Sequence, residues 1–194
     1  MILLSILLFK TGLAFTLFLI TLGIAAYSTY FERKVAAFMQ DRVGPNRAGP
    51  LGLLQPIADG VKMIFKEEHR PTGSNRILFI LGPSIAMLTA LMTTAVVPWG
   101  KTITIGGTAY SLQVADINVG ILYVFGVVSL GVYGILIGGW SSNNKYSLLG
   151  AVRASSQMIS YELAMGLSII PIILGSSSLQ LSDIVVSQYE VWNI

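Results

Sequence analysis

The sequence predicts an all-α integral membrane protein: four transmembrane helices, one interfacial amphipathic helix, and a small β-hairpin on the outer face. Three observations predict it. Hydrophobic residues make up 54% of the 194 residues and charged ones 11%, against roughly 25% charged in an average soluble domain. The charges are so placed that four long stretches carry none. Each stretch approaches or exceeds the roughly 20 apolar residues that cross about 30 Å of hydrocarbon. Finally, the basic residues fall almost entirely on alternate connections, as they do when a chain crosses a bilayer repeatedly. A mean hydropathy of +0.73 agrees.

The spans are expected at about 11–33, 77–99, 117–140 and 152–175, within a single membrane domain covering 1–194. The first begins after the lone Lys10 and reaches Glu32-Arg33-Lys34. It is too long for a signal peptide and ends without a small-residue cleavage pattern. Pro83 and Pro171 fall inside the second and fourth spans, where neighbouring helices make a kink tolerable. Residues 32–76 and 141–161 together carry Arg33, Lys34, Arg42, Arg47, Lys62, Lys66, Arg70, Arg76, Lys145 and Arg153, leaving only Lys10 and Lys101 for the opposite side. By the positive-inside tendency these segments face the cytoplasm or its equivalent, the mitochondrial matrix, and both chain ends face outward.

Between the second and third spans, the stretch from Lys101 to Val114 alternates around Gly106-Gly107, which predicts the hairpin. Asp116 or Asn118 is placed to cap the third helix. Gly134 and Gly138 form a GxxxG that points to helix packing. Trp99, Trp140 and Tyr146 sit at span ends, as interfacial aromatics do.

Composition excludes several function classes. With no cysteine and one histidine, His69, the chain has no disulfide, no cysteine-ligated iron–sulfur or zinc site and no covalently attached haem. It lacks the two histidines that would hold a b-type haem, and no metal site is expected. A net charge of +3, dispersed as it is, does not suggest nucleic acid.

The chemistry is expected in the amphipathic inner loop, 40–70. The connection 32–76 holds thirteen of the charges, eight basic and five acidic. Gly44-Pro45, Asn46 and Gly49-Pro50 break any helix leaving the membrane. From Leu51 onward, Leu54, Ile57, Ala58, Val61, Ile64 and Phe65 recur at helical spacing, as do Gln55, Asp59, Lys62 and Lys66. Leu53–Glu67 would be about 22 Å long, too short and too polar to span. It should lie flat at the surface. Its polar face either meets solvent or lines a cavity, and the pattern leaves both open.

Glu162 is more unusual. If the fourth helix begins near Gly150 and Arg153 sits at the interface, Glu162 lies about 13 Å deeper. The two side chains point to nearly opposite sides, and Ser155, Met158, Ile159, Met165 and Gly166 share the Glu162 side. A carboxylate at that depth costs about 2.5 kcal/mol or more unless it faces water or a partner. If the helix starts later, Glu162 is an interfacial cap instead. Glu32 and Arg33 are followed by apolar residues 35–39, which suggests that they face the bundle interior, whereas Lys34 reads as snorkelling to headgroups. Glu32/Arg33, the surface helix and Glu162 thus converge on the inner side. Carboxylates at such depth suit proton handling, since desolvation favours their neutral form.

Specific motifs go further. Glu32-Arg-Lys-Val-Ala-Ala-Phe-Met-Gln-Asp-Arg-Val-Gly-Pro-Asn-Arg-Ala-Gly-Pro, then Gly52-Leu-Leu-Gln-Pro-Ile-Ala-Asp-Gly-Val-Lys, closely resembles one family. It is the quinone-side membrane subunit of proton-pumping NADH:quinone oxidoreductase (respiratory complex I), the H-type subunit of bacteria and subunit 1 of mitochondria. Leu130-Gly-Val-Tyr-Gly and the stretch from Gly139 to Glu162 agree, so the resemblance covers essentially the whole chain. The Ser-Asn-Asn-Lys-Tyr-Ser-Leu-Leu-Gly wording looks bacterial, implying a bacterial plasma membrane with the mitochondrial inner membrane as the alternative.

The resemblance implies a subunit that anchors the hydrophilic arm, forms much of the quinone chamber and begins the carboxylate chain coupling quinone reduction to proton movement. It implies that Glu32, Arg33, Arg42 and Asp59 lie around the quinone chamber and that Glu162 is the membrane-embedded glutamate of the proton route. Lys62, Glu67 and Glu68 match the surface helix at the chamber mouth. Glu32, Asp59 and Glu162 would carry proton coupling, and Glu32, Arg33, Arg42, Asp59 and Lys62 quinone binding. Quinone is then a substrate, no cofactor is bound by this chain, and flavin and iron–sulfur clusters reside in partner subunits. Partners would be the hydrophilic quinone-module subunits, neighbouring membrane subunits and the bilayer. The family pattern extends beyond Ile194 with further helices and an acidic loop, so the C-terminal part of the family fold is expected to be missing and the quinone site to be half present. Alternatives are the homologous anchor of a membrane-bound hydrogenase or formate hydrogenlyase, and a truncated non-catalytic scaffold. A secondary transporter is weaker, since no inverted repeat is visible.

Overall fold

The computed structural model describes residues 2–105, 107–189 and 192. Among the described residues, six α-helices and one hairpin follow in order: α1 (Ile2–Met39), α2 (Gln55–Phe65), α3 (Arg76–Thr94), β1 (Thr102–Ile105), β2 (Thr108–Ser111), α4 (Gly120–Ser141), α5 (Lys145–Ser176) and α6 (Leu181–Ser187). Helices α1, α3, α4 and α5 are each long and apolar enough to cross a membrane, which gives the expected all-α membrane architecture. The residues group into two compact units. One comprises the chain up to Ala14 together with the part from Arg70 onward, and the other is Phe15–His69.

In the first unit, α3, α4 and α5 pack in sequence. Gly82 of α3 faces Gly134 and Gly138 of α4 so closely that a Cβ on Gly82 would lie 2.9 Å from the Gly134 carbonyl oxygen and 2.9 Å from the Gly138 Cα. Further along, Gly131 faces Thr89 and Gly120 faces Val96, so the two helices run antiparallel. The GxxxG is therefore a groove that receives the backbone of α3. Without a hydrophobic drive between helices in lipid, such close backbone approach supplies the packing attraction. Helix α5 returns along α4: Ala151 meets Gly139, Glu162 meets Ser129, and the amide of Ile121 donates to the Leu179 carbonyl at 3.1 Å.

The helix ends are set by side chains and by the loops. Asn75 caps α3, its oxygen accepting from the amides of Ile77 and Leu78, and Asn144 caps α5 by accepting from Tyr146. This cap starts α5 at Lys145, five residues earlier than the span pattern around Gly150 suggests, because a membrane helix continues through polar turns once its first amides are satisfied. Similarly, α1 does not stop at its charges but runs on to Met39. The expected cap of α4 is not made by Asp116 or Asn118. The residue before α4 is Val119, which has no capping side chain, and Asp116 instead accepts from Gln180 Nε2 at 2.8 Å and Ser182 Oγ at 3.1 Å, tying down α6.

The hairpin is antiparallel with Ile103 opposite Tyr110 and Ile105 opposite Thr108, which leaves a two-residue turn. Gly107 has a φ of +84°, as such turns demand; Gly106 lies outside the described residues. Lys10 holds the base of the hairpin by donating to the carbonyls of Ser111 and Gln113. Phe9 and Tyr110 stack at 4.5 Å between centroids. Buried Gln113 donates to the Val96 carbonyl at 2.7 Å.

Candidate functional site

The second unit begins within α1 and folds back through the Gly/Pro-rich stretch. Helix α1 closes when Arg42 N–H donates to the Ala37 carbonyl at 2.9 Å. The chain then turns through a short 3₁₀ segment at Pro50–Gly52. Gly52, at φ +81°, is required there, since a Cβ would stand 2.3 Å from the Pro45 carbonyl oxygen. Tyr30, buried on α1, donates its hydroxyl to the Leu51 carbonyl at 2.8 Å. Lys34 donates to the Val43 carbonyl at 3.1 Å. Together these contacts fix the start of α2 against α1.

The result is an ion pair between the two helices. Arg33 Nη1 stands 2.5 Å from Asp59 Oδ2, and Gln55, one turn earlier on α2, donates to Asp59 Oδ1 at 3.0 Å. The Arg33 hydrogen bond, followed by that from Gln55, holds the Asp59 carboxyl below its ordinary value, with the charges of Arg33 and Lys62 adding in the same direction. Donors to the charged form thus outweigh the smaller upward push of desolvation at Asp59. Lys62 lies one turn beyond Asp59 on the same face.

The remaining residues singled out in this segment are more open. Glu32 is exposed on α1, and among the described residues it makes no ion pair. Arg42 is exposed and donates to Gln40 at 2.7 Å. Lys62, Glu67 and Glu68 are exposed on and just beyond α2. Ile57, Val61, Ile64 and Phe65 present an exposed apolar face on α2, in keeping with a helix that lies in a membrane interface.

Glu162 belongs to the first unit. It lies seventeen residues into α5 and fourteen from its end, so about 26 Å and 21 Å of helix flank it. The early start at Lys145 removes the reading in which Glu162 caps a later helix. Its carboxyl accepts a hydrogen bond from Ser129 of α4. The two line a cleft of about 670 Å³ with Val132, Tyr133, Ile159 and Gly166. On the same side, two turns before Glu162, Ser155 is buried and its hydroxyl has no partner among the described residues. Two partners escape recognition from the sequence: Gln55 and Ser129. Gln55 is visible there only as a polar residue four before Asp59. Ser129 is an isolated small hydroxyl in an apolar span, and only the packing of α4 on α5 shows what it meets.

These features define a helical membrane protein with an ion-paired, amphipathic loop after its first span and a carboxylate lodged midway along its fourth. The chain belongs to the NADH dehydrogenase family, whose profile matches residues 12–194. It is 62% identical over 186 residues to an H-type subunit of the NADH-quinone oxidoreductase of Cytophaga hutchinsonii, an overlap covering 95% of this chain and 54% of that protein. The corresponding protein of Flavobacterium johnsoniae is 56% identical, with 95% and 53% covered. That of Geobacter metallireducens is 49% identical over 178 residues, with 92% and 54% covered. The chain spans about half the length of these curated relatives.

Proposed function

We propose that this chain forms part of the quinone-side, proton-coupling membrane subunit of NADH:quinone oxidoreductase, in a bacterial plasma membrane. The Arg33–Asp59 pair carries the reading. It joins the inner end of the first span to an interfacial helix whose apolar face is open to lipid, the place from which a lipid-soluble quinone arrives. Its relatives are named as NADH-quinone oxidoreductase subunits, and the absence of cysteine is in keeping with redox groups held by partner subunits. In this role Arg33 and Lys62 supply hydrogen-bond donors near the quinone carbonyls, Asp59 holds Arg33 in place, and Glu32 and Arg42 complete the charged inner surface. Glu162 takes up and releases a proton in step with quinone reduction. The basic 32–76 connection faces the cytoplasm.

The test uses the assembled complex carrying the full-length subunit. Asp59→Asn and Arg33→Gln each remove a charged hydrogen bond, an interaction whose loss weakens binding roughly tenfold. Each variant is expected to raise KM for a short-chain quinone by about that factor. NADH oxidation by a soluble acceptor that bypasses the quinone should be unchanged. Wild-type quinone kinetics in both variants would remove this segment from the quinone site.

A further inference from the structure

The Ser129 hydroxyl has two oxygens within reach and one proton to give. Its Oγ is 2.9 Å from the carbonyl of Phe125, one turn back on α4, and it also contacts Glu162 Oε1 on α5. A serine hydroxyl offers one donor and two acceptor lone pairs, while the Phe125 carbonyl can accept a second bond beside its helical one. With a single proton to give, the serine can keep a hydrogen bond to Glu162 in either state only if the proton arrangement follows the state of the carboxyl. When Glu162 is ionised, Ser129 donates to Oε1. When Glu162 is protonated, its O–H donates to Ser129 Oγ, and the serine proton turns to the Phe125 carbonyl.

We propose that Ser129 is a positioning residue for Glu162, a reversible hydrogen-bond partner that holds the carboxyl against α4 in both protonation states. No heavy atom needs to move between the two arrangements; the hydroxyl rotates and the proton on the carboxyl is gained from, or returned to, the cleft. This matters because a carboxyl that changes charge within a membrane ordinarily changes partners too. An aspartate or glutamate paired with a lysine loses its attraction on protonation, and one packed against apolar groups is penalised on ionisation. Ser129 offers a hydrogen-bond partner to either state, as donor to the carboxylate and as acceptor from the acid, so Glu162 can cycle without leaving its place in the cleft. Helix packing supports the geometry: the close α4–α5 approach at Gly139 and Ala151 brings the serine of one helix within bonding distance of the glutamate on the other. The inference rests on the proposed proton role of Glu162 and adds a specific residue to it.

The experiment places Ser129→Ala, Ser129→Thr, Ser129→Cys, Glu162→Gln and Ser129→Ala with Glu162→Gln in the assembled complex within native membrane vesicles. Quinone-linked NADH oxidation and vesicle acidification are measured, with bypass NADH oxidation as the assembly control. Ser129→Ala is expected to lower the quinone-linked rate about tenfold, the effect of losing a hydrogen bond to a charged group. Ser129→Thr, which keeps the hydroxyl, should restore most of it, and Ser129→Cys, a weaker donor, should fall between. The double variant should be no slower than Glu162→Gln alone. Infrared difference spectra give a second readout: the carboxylic C=O band that disappears in Glu162→Gln should move to higher wavenumber in Ser129→Ala. An inactive Glu162→Gln beside a wild-type rate and band in Ser129→Ala overturns the inference, and so does equal loss in the alanine and threonine variants. A wild-type Glu162→Gln instead overturns the proton role of Glu162 on which it rests.

Discussion

Adding a single methyl group at Gly82 should weaken the α3–α4 contact enough to measure. In Gly82→Ala the new Cβ would sit 2.9 Å from the Gly134 carbonyl oxygen and 2.9 Å from both the nitrogen and the Cα of Gly138. All three are backbone atoms of α4, so no rotamer change relieves them. Carbon atoms pack best at about 3.5–4.0 Å, so the helices must part by roughly 0.5–1 Å, and a gap of that size forfeits a quarter to a half of each dispersion contact along the face. Overpacking of this kind costs about 1–3 kcal/mol, a factor of roughly 5 to 150 in the folding equilibrium. Gly126→Ala, on α4, is the control. Its added methyl meets nothing within 4 Å, and alanine is the better helix former. Retention of the subunit in the purified complex during a thermal ramp in detergent should fall several degrees earlier for Gly82→Ala and not for Gly126→Ala. Identical ramps for the two variants would refute the groove-packing argument.

Two further outcomes follow from the inner loop and the charge distribution. Because the Arg33 hydrogen bond lowers the Asp59 carboxyl below 3.8 in the folded protein, its contribution is fully present above that pH and is lost as pH falls toward the depressed value. Protease resistance of 40–70 should therefore persist at neutral pH and decline only below about pH 4. Arg33→Met should make that segment cleavable at neutral pH and flatten the acid dependence; an unaltered profile contradicts the pairing. Since the chain has no native cysteine, single substitutions report topology directly. Thr104→Cys should react with an impermeant thiol reagent from outside intact cells, and His69→Cys only after permeabilisation. The opposite pattern reverses the assigned orientation.

The spans and the amphipathic helix are legible in the sequence because both are set by local pattern: long uncharged runs for α1, α3, α4 and α5, and helical spacing of Ile57, Val61 and Ile64 for α2. The helix ends are less so. Asn144 and Asn75 act through bonds to amides two and three residues on, and the apolar pattern of a span carries no mark of where its polar first turns begin. Asp116 shows the same limit. It has the chemistry of a cap, but Gln180 and Ser182, more than sixty residues later, offer it better partners. For the site, Arg33 and Asp59 are both identifiable, yet their pairing depends on the Gly44–Gly52 turn returning α2 to α1. The Arg33 hydrogen bond that, with the one from Gln55, holds the Asp59 carboxyl below its ordinary value comes from that return and leaves no mark in the local pattern of α2. The Ser129–Glu162 contact is a product of α4–α5 packing and has no local signature.

The proposed function centres on a proton-handling role for Glu162 in a quinone-reducing complex. The most direct test is Glu162→Gln in the full-length subunit, with NADH-driven quinone reduction and proton translocation measured in the same vesicles. Removing the titratable group while keeping its size and hydrogen-bonding shape should lower both rates by about a hundredfold or more, the range that a positioned acid or base contributes, with bypass NADH oxidation intact. Unchanged quinone reduction and unchanged translocation would contradict that role and leave the chain a helical scaffold.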